Sequence, residues 1–126
     1  MRAISLHQPW ATWIAQGKKT IESRTWSVGF LGPIVICSTK QPKINGHLCG
    51  YALCTARIVD CRKFTKDDLE AACMKEMPDY QLWAWVLENI TPIEPFSVKG
   101  TQGFYEVDDS LIRPPQTANI QQDLKF

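Results

Sequence analysis

The stretch Gln16-Gly17-Lys18-Lys19-Thr20-Ile21-Glu22-Ser23-Arg24 sets opposed charges side by side where packing alone does not require them. Read as a turn at Gly17 feeding an extended segment, strand alternation puts Thr20, Glu22, Arg24 and Trp26 on one face. Ile21, Ser23 and Thr25 point the other way. One face then carries a carboxylate, a guanidinium and an indole in a row, with the Lys19 ammonium at its entrance. Such a wall suits a polar, planar ligand. An edge strand whose charges deter aggregation has the same pattern, and spacing alone leaves both readings open.

Outward from this segment, Ala3 to Leu6 reads as a short first strand. Pro9 suits the first turn of a helix, where its missing N–H costs nothing. Trp10, Trp13, Ile14 and Gly17 fall at helical spacing, so the helix runs from Pro9 to Gln16 and ends at Gly17. Lys19 to Trp26 forms the charged strand, Gly29 to Pro33 turns the chain, and Ile34 to Cys37 is an apolar strand that should be buried. Pro42 and Asn45-Gly46 mark Gln41 to His47 as loop. Leu48 to Val59 is the longest strand, with Ala52, Cys54, Ala56 and Ile58 along one face. Thr65 can cap a second helix, favoured by Asp67, Asp68 and Glu70 in its first turn and stopped before Pro78. Leu82 to Asn89 has helical propensity on composition. Thr91 to Pro95 reads as a proline-rich connection and Gly103 to Val107 as a closing strand. The domain spans residues 1–112, and 113–126, opening on Pro114-Pro115, is expected to be a loosely packed tail.

Gly17, Lys19, Glu22 and Arg24 reproduce the pattern Gly-x-Lys-x-x-Glu-x-Arg. Together with Ile4–Ala11, Gly32–Ile36, Trp83–Asn89 and Lys99–Tyr105, in that order, they make Arg2 to Val107 resemble the ASCH domain family of PUA-like proteins. The resemblance implies an α+β fold: a small, mostly antiparallel β-barrel of five or six strands with two or so flanking helices. It turns Leu82–Asn89 into a strand and sets a cleft between the charged strand and the first helix, with Ser5, His7 and Gln8 at its mouth. The family contains both nucleic-acid binders and small hydrolases. One enzymatic branch, amidohydrolases that deacylate acetylated cytidine, carries Thr where this chain has Glu22. Thr20 lies two residues earlier on the same face, and Glu70 and Glu76 follow the long strand without a motif to fix either. The implied function is therefore binding of RNA or a modified nucleotide or nucleoside. The alternative is a metal-independent hydrolase, an amidohydrolase or a ribonuclease, using the same residues.

Composition narrows the setting. At 126 residues the chain is one ordinary domain with room for a core. No apolar run approaches the ~20 residues that cross a membrane, and Arg2 is followed too soon by polar residues for a signal peptide. Cys37, Cys49, Cys54, Cys61 and Cys73 are odd in number and form no Cys-x-x-Cys pair, against a disulfide framework or paired zinc site. A reduced, cytoplasmic protein without metal or cofactor is the simplest expectation. The net charge of +1 hides an asymmetry: nine Lys/Arg against two acids up to Lys63, and five against eleven beyond it. Lys18, Lys19, Arg24, Lys40 and Lys43 make a basic region suited to a few phosphates, though the sequence leaves open whether they share a surface.

Within the candidate site, a lysine at position 19 near Arg24 and Lys18, partly desolvated, would have its ammonium form disfavoured and could shuttle a proton. It could equally pair with Glu22 or hold a phosphate. Glu22 can act as a general base, accept from a base amino group, or bridge to Arg24. Arg24 offers a planar fork for phosphate, carboxylate or a base edge. Trp10 and Trp26 can stack on a base, while Trp13 shares the apolar stripe with Ile14 and belongs to the core. Ser38, Thr39 and Lys40 can line the rim. His7 reads as a hydrogen-bonder without a metal pattern, and Cys37 and Cys54 as small core residues.

Overall fold

Ile34, Val35, Ile36 and Cys37 are all withdrawn from water, which puts strand β3 (Gly32–Ser38) in the middle of the sheet with both faces covered. A computed structural model of the chain describes residues 1–116. Around β3 stand β1 (Arg2–Leu6), helix α1 (Trp10–Ala15), β2 (Ile21–Arg24), β4 (Tyr51–Lys63), β5 (Trp83–Ser97) and β6 (Tyr105–Glu106). The six strands form one sheet in the order β2-β5-β4-β3-β1-β6. Every pairing is antiparallel except β1 with β3. That parallel pair follows from the chain path, since α1 and β2 intervene before β3 returns beside β1.

Alternation along β3 separates two apolar clusters. Ile34 and Ile36 join Ile4, Ile14 of α1, Ile58 and Trp85 on one side, and Val35 and Cys37 join Ala3, Ala52 and Ile93 on the other. Ala52 was expected to share a face with Cys54. A bulge between these two positions in the β4–β5 ladder switches the face, so Ala52 falls in the second cluster and Cys54 in the first. A third cluster, Ile21, Phe64, Ala72, Leu82 and Ala84, holds β2 against β5 and the segment after β4.

Three expectations need correction. The sheet is mostly antiparallel and six-stranded, but among the described residues it does not close into a barrel: β2 and β6 are edges with no ladder between them. The second helix from Thr65 shrinks to a single 3-10 turn over Lys66–Asp68. Its capping box forms, yet the carbonyls of Ala71 and Ala72 do not continue a helix. Ala71 accepts from the N–H groups of Thr20 and Ile21, and Ala72 accepts from the Lys19 ammonium. Cys73, in the left-handed region with φ +57, then turns the chain away. Last, Thr91–Pro95 is no connection but part of the fifteen-residue β5. Among the described residues the ladder with β2 covers only Trp83–Val86, opposite Ile21–Arg24, so the proline half has no strand beside it there and a missing N–H is tolerated. Propensity in Leu82–Asn89 gives way to this ladder, as the resemblance implied.

At the end of the domain, the Arg113 carbonyl accepts from the Glu94 N–H and Ile112 packs against the second cluster. Of the expected tail 113–126, residues 117–126 lie outside the described residues.

Candidate functional site

The end of α1 positions Lys19. Gly17 has φ +79, a conformation glycine adopts without strain. The resulting turn lets the N–H groups of both Lys18 and Lys19 donate to the Trp13 carbonyl, at 2.9 and 3.0 Å. Lys19 is 3% exposed. Its ammonium donates to the Ala72 carbonyl at 2.7 Å and lies 3.5 Å from Glu22 Oε1. Burial pulls the Lys19 pKa below the ordinary 10.5, and the adjacent Glu22 carboxylate opposes that shift without cancelling it. The disfavoured ammonium anticipated from sequence is thus present, with burial as its leading cause.

Glu22 and Arg24 share a face of β2, as alternation requires. Arg24 Nε donates to Glu22 Oε2 at 2.8 Å, and Nη2 donates to the Ser5 carbonyl at 3.2 Å. Among the described residues Nη1 donates to no group. Both oxygens of Glu22 therefore face cations, while the cations keep donor capacity to spare. The three heads converge on the inner end of an open cleft of about 1470 Å³. Sites for a single small molecule usually span ~300–1,000 Å³, so this cleft is larger than most of them.

The excess positive charge of the chain gathers here. Lys19, Arg24, Lys40, Lys75 and Lys99 line the cleft against the carboxylates of Glu22 and Glu76. Aromatic exposure gathers here too. Trp10, Trp26 and Tyr80 are 40%, 38% and 59% exposed, and all three border this cleft. Trp26 is a held platform: its ring sits edge-on to the buried Trp85 at 4.8 Å, and its carbonyl accepts from the Trp85 indole N–H at 3.3 Å.

Most residues singled out from sequence come together. Lys19, Glu22 and Arg24 form the inner end, Ser5, His7 and Trp10 line the side near α1, and Trp26, Ser38 and Lys40 also border the space. His7 is exposed and its Nδ1 is 2.8 Å from Thr39 Oγ1. Ser38 is buried, donating from its hydroxyl to the Tyr51 carbonyl at 3.3 Å. Gln8 is the exception. Its amide donates to the Leu48 carbonyl and Thr12 hydroxyl at 2.7 Å each and accepts from the Thr12 N–H at 2.9 Å, so it holds α1 and does not line the cleft. The six-residue α1 is also too short to offer an anion its N-terminus. Trp13, assigned to the core, is half-buried, borders the cleft and carries the Lys18 ammonium 4.1 Å from its ring centroid. Lys43 of the basic region is not among the lining residues.

Sequence reasoning missed Tyr105 and Gly100. Tyr105 OH lies 2.6 Å from Ser5 Oγ, and its ring packs against the cluster that holds Cys37. Burial pushes the Tyr105 phenol well above its ordinary value and the Cys37 thiol up to about 11, so both stay protonated. Gly100 packs flat over the pair: a Cβ there would lie 2.7 Å from Ser5 Oγ and 3.1 Å from Tyr105 OH. The only hint was the Lys99–Tyr105 segment itself, since β6 brings it to β1 across more than a hundred residues. Among the described residues no three His, Cys, Asp or Glu side chains gather as a metal site, and no helix is long and apolar enough to cross a membrane.

Comparison with known proteins bears on the family and the fold. The family model for the ASCH domain matches residues 4–97. No curated protein matches the chain. Among solved structures, the crystal structure of ASCH from Zymomonas mobilis superposes with a TM-score of 0.67 at 18% identity, covering 98% of this chain and 92% of the other. A tyrosine-to-phenylalanine mutant of the Zymomonas mobilis protein gives 0.66 at 17% identity, covering 99% and 96%. A serine-to-alanine mutant gives 0.65 at 18% identity, covering 98% and 94%. At these identities the likeness is one of fold.

Proposed function

The chain belongs to the ASCH domain family, and from that premise we propose that its cleft binds RNA or a nucleotide-like ligand. One observation carries the reading: the surplus cations and, among the described residues, all three exposed aromatic side chains border the same open space. Single-stranded nucleic acid needs both, a positive groove for its backbone and flat rings on which bases stack for about 1–3 kcal/mol each. Lys19, Arg24 and Lys40 meet phosphate or carbonyl oxygens, and Trp10 and Trp26 take the bases. The five free cysteines fit a reducing cytoplasm as the setting.

Titration with short single-stranded RNAs, followed by tryptophan fluorescence at 50 and 200 mM salt, tests this. Saturable binding that weakens with salt is expected, with an affinity at least tenfold lower in Arg24→Ala. No saturable binding, or binding indifferent to Arg24→Ala, sinks the reading.

The lowered Lys19 pKa favours one second reading, a metal-independent hydrolase acting on the bound nucleotide. A lysine able to exist as an amine can move a proton, with Arg24 stabilising negative charge. Turnover of acetylated cytidine or of RNA by wild type, absent in Lys19→Ala, would establish it; activity that survives the substitution would exclude this chemistry.

A further inference from the structure

The inner end of the cleft holds two cations against one carboxylate, and the cations keep hydrogen-bond donors to spare. Lys19 spends its ammonium on the Ala72 carbonyl and Glu22, and a third N–H remains. Arg24 keeps Nη1. Glu22 has each oxygen already facing a cation. The Ser5 hydroxyl borders the same space, with Tyr105 OH 2.6 Å behind it. A hydroxyl both donates and accepts, so when the phenol donates to Ser5 Oγ the Ser5 hydrogen is left for the cleft. Gly100 closes the flank of this pair, leaving no room for Ser5 to swing toward its backbone.

We propose that a phosphate group of the nucleic-acid ligand sits at the inner end of the cleft, held by Lys19, Arg24 and Ser5, while its bases stay outside on the exposed aromatics. This rests on the nucleic-acid reading above and refines it. The local charge of two cations and one carboxylate is completed by an anion and not by a neutral base edge. Both Glu22 oxygens are turned to cations, so its part is to position Lys19 and Arg24 for the anion. Tyr105 acts as a positioning residue through Ser5.

The test compares ligands on the wild-type protein: uridine, its 5′-monophosphate, inorganic phosphate, a trinucleotide with free hydroxyl ends, and that trinucleotide with a neutral methylphosphonate backbone. The monophosphate should bind at least tenfold tighter than uridine, inorganic phosphate should compete with it, and the methylphosphonate should lose at least tenfold against its parent. The trinucleotide and the monophosphate separate a backbone phosphate from a terminal one as the occupant. Ser5→Ala and Tyr105→Phe should each weaken the phosphate-bearing ligands about three- to tenfold and leave uridine unchanged, which a merely structural role would not do. Equal affinity for uridine and its monophosphate, without competition by phosphate, overturns the inference and leaves the nucleic-acid reading standing. Failure of every nucleotide and RNA to saturate removes that reading and the inference with it.

Discussion

Among the described residues two carboxylates are almost withdrawn from water, and an arginine grips each, but their settings differ. Asp68 meets Arg62 through two parallel bonds of 2.8 Å and accepts from the Thr65 N–H at 2.8 Å as part of a capping box. Arg62 also lies 3.8 Å from Asp60, so no positive charge is left over there, and the group closes a turn. Glu22 meets Arg24 through a single bond of 2.8 Å and Lys19 at 3.5 Å, so cations outnumber it two to one beside an open cleft. A buried ion pair by itself is weak evidence of function. What separates the two is surplus: the Asp68 cluster has spent its hydrogen bonds on itself, whereas the Glu22 cluster retains donors and a positive charge for something not made by the chain.

Substitution of each carboxylate by its amide is the strongest way to break that contrast. Glu22→Gln leaves two cations facing a neutral group at a buried position and should destabilise the fold by about 3 kcal/mol in urea denaturation. Its affinity for a nucleoside monophosphate should hold or rise, because the local potential becomes more positive. Asp68→Asn removes a charge-assisted fork and part of a cap and should cost about 2 kcal/mol, with Arg62 half-exposed and able to turn to water. Ligand affinity there should not change. A loss of binding in Asp68→Asn would erase the distinction, and a loss in folded Glu22→Gln would return the base-reading role to Glu22.

How much of this was legible follows from the range of the interactions. The helix stop at Gly17 and the alternation of Glu22 with Arg24 are set within a few residues, and both are visible in sequence. The burial of Ile34–Cys37 is equally local, written in four apolar residues. The lost helix after Thr65 was not legible, because what breaks it is Lys19 and β2 claiming the Ala71 and Ala72 carbonyls from fifty residues away. The prolines of β5 read as a connection because nothing local announces that this half of the strand lacks a second neighbouring strand. Tyr105 was missed for the same reason: its partner Ser5 is a hundred residues distant.

Acid and alkali should act on the two clusters from opposite ends. Asp68 is held below the ordinary carboxylate range, chiefly by its hydrogen bonds to Arg62 and then by the Thr65 N–H against the cost of burial. The folded state therefore holds its proton less readily than the unfolded chain. The stability this contributes is present above the ordinary aspartate value, near 4, and is lost as pH falls through the lower folded value. Lys19 is also lowered, but here the lowered form is a cation made costly by burial. The unfolded chain again binds the extra proton, so stability through Lys19 rises with pH from the folded value towards 10.5. Urea denaturation of wild type against Asp68→Asn should converge below pH 4. The wild-type advantage over Lys19→Met should grow, or its deficit shrink, between pH 8 and 10. A flat difference in either pair means that cluster does not titrate as its surroundings require.

The smallest expected effect asks on which side of the contrast the Ser5–Tyr105 pair belongs. Gly100→Ala places a methyl 2.7 Å from Ser5 Oγ, a contact that forces something to move. The Ser5 hydroxyl is the movable end, since the backbone of β1 is paired on both sides. Rotating it away breaks the 2.6 Å bond to Tyr105, at a cost to stability of about 1 kcal/mol. If the pair only braces β6 against β1, that cost is the whole effect. If it aims a donor into the cleft, affinity for a phosphate-bearing ligand also falls, by about two- to fivefold. The effect on affinity should then vanish in a Ser5→Ala background, because no hydroxyl remains to be turned aside. Such non-additivity is expected only between groups in contact, so equal and additive losses in the double mutant would assign the pair to the scaffold, alongside Asp68.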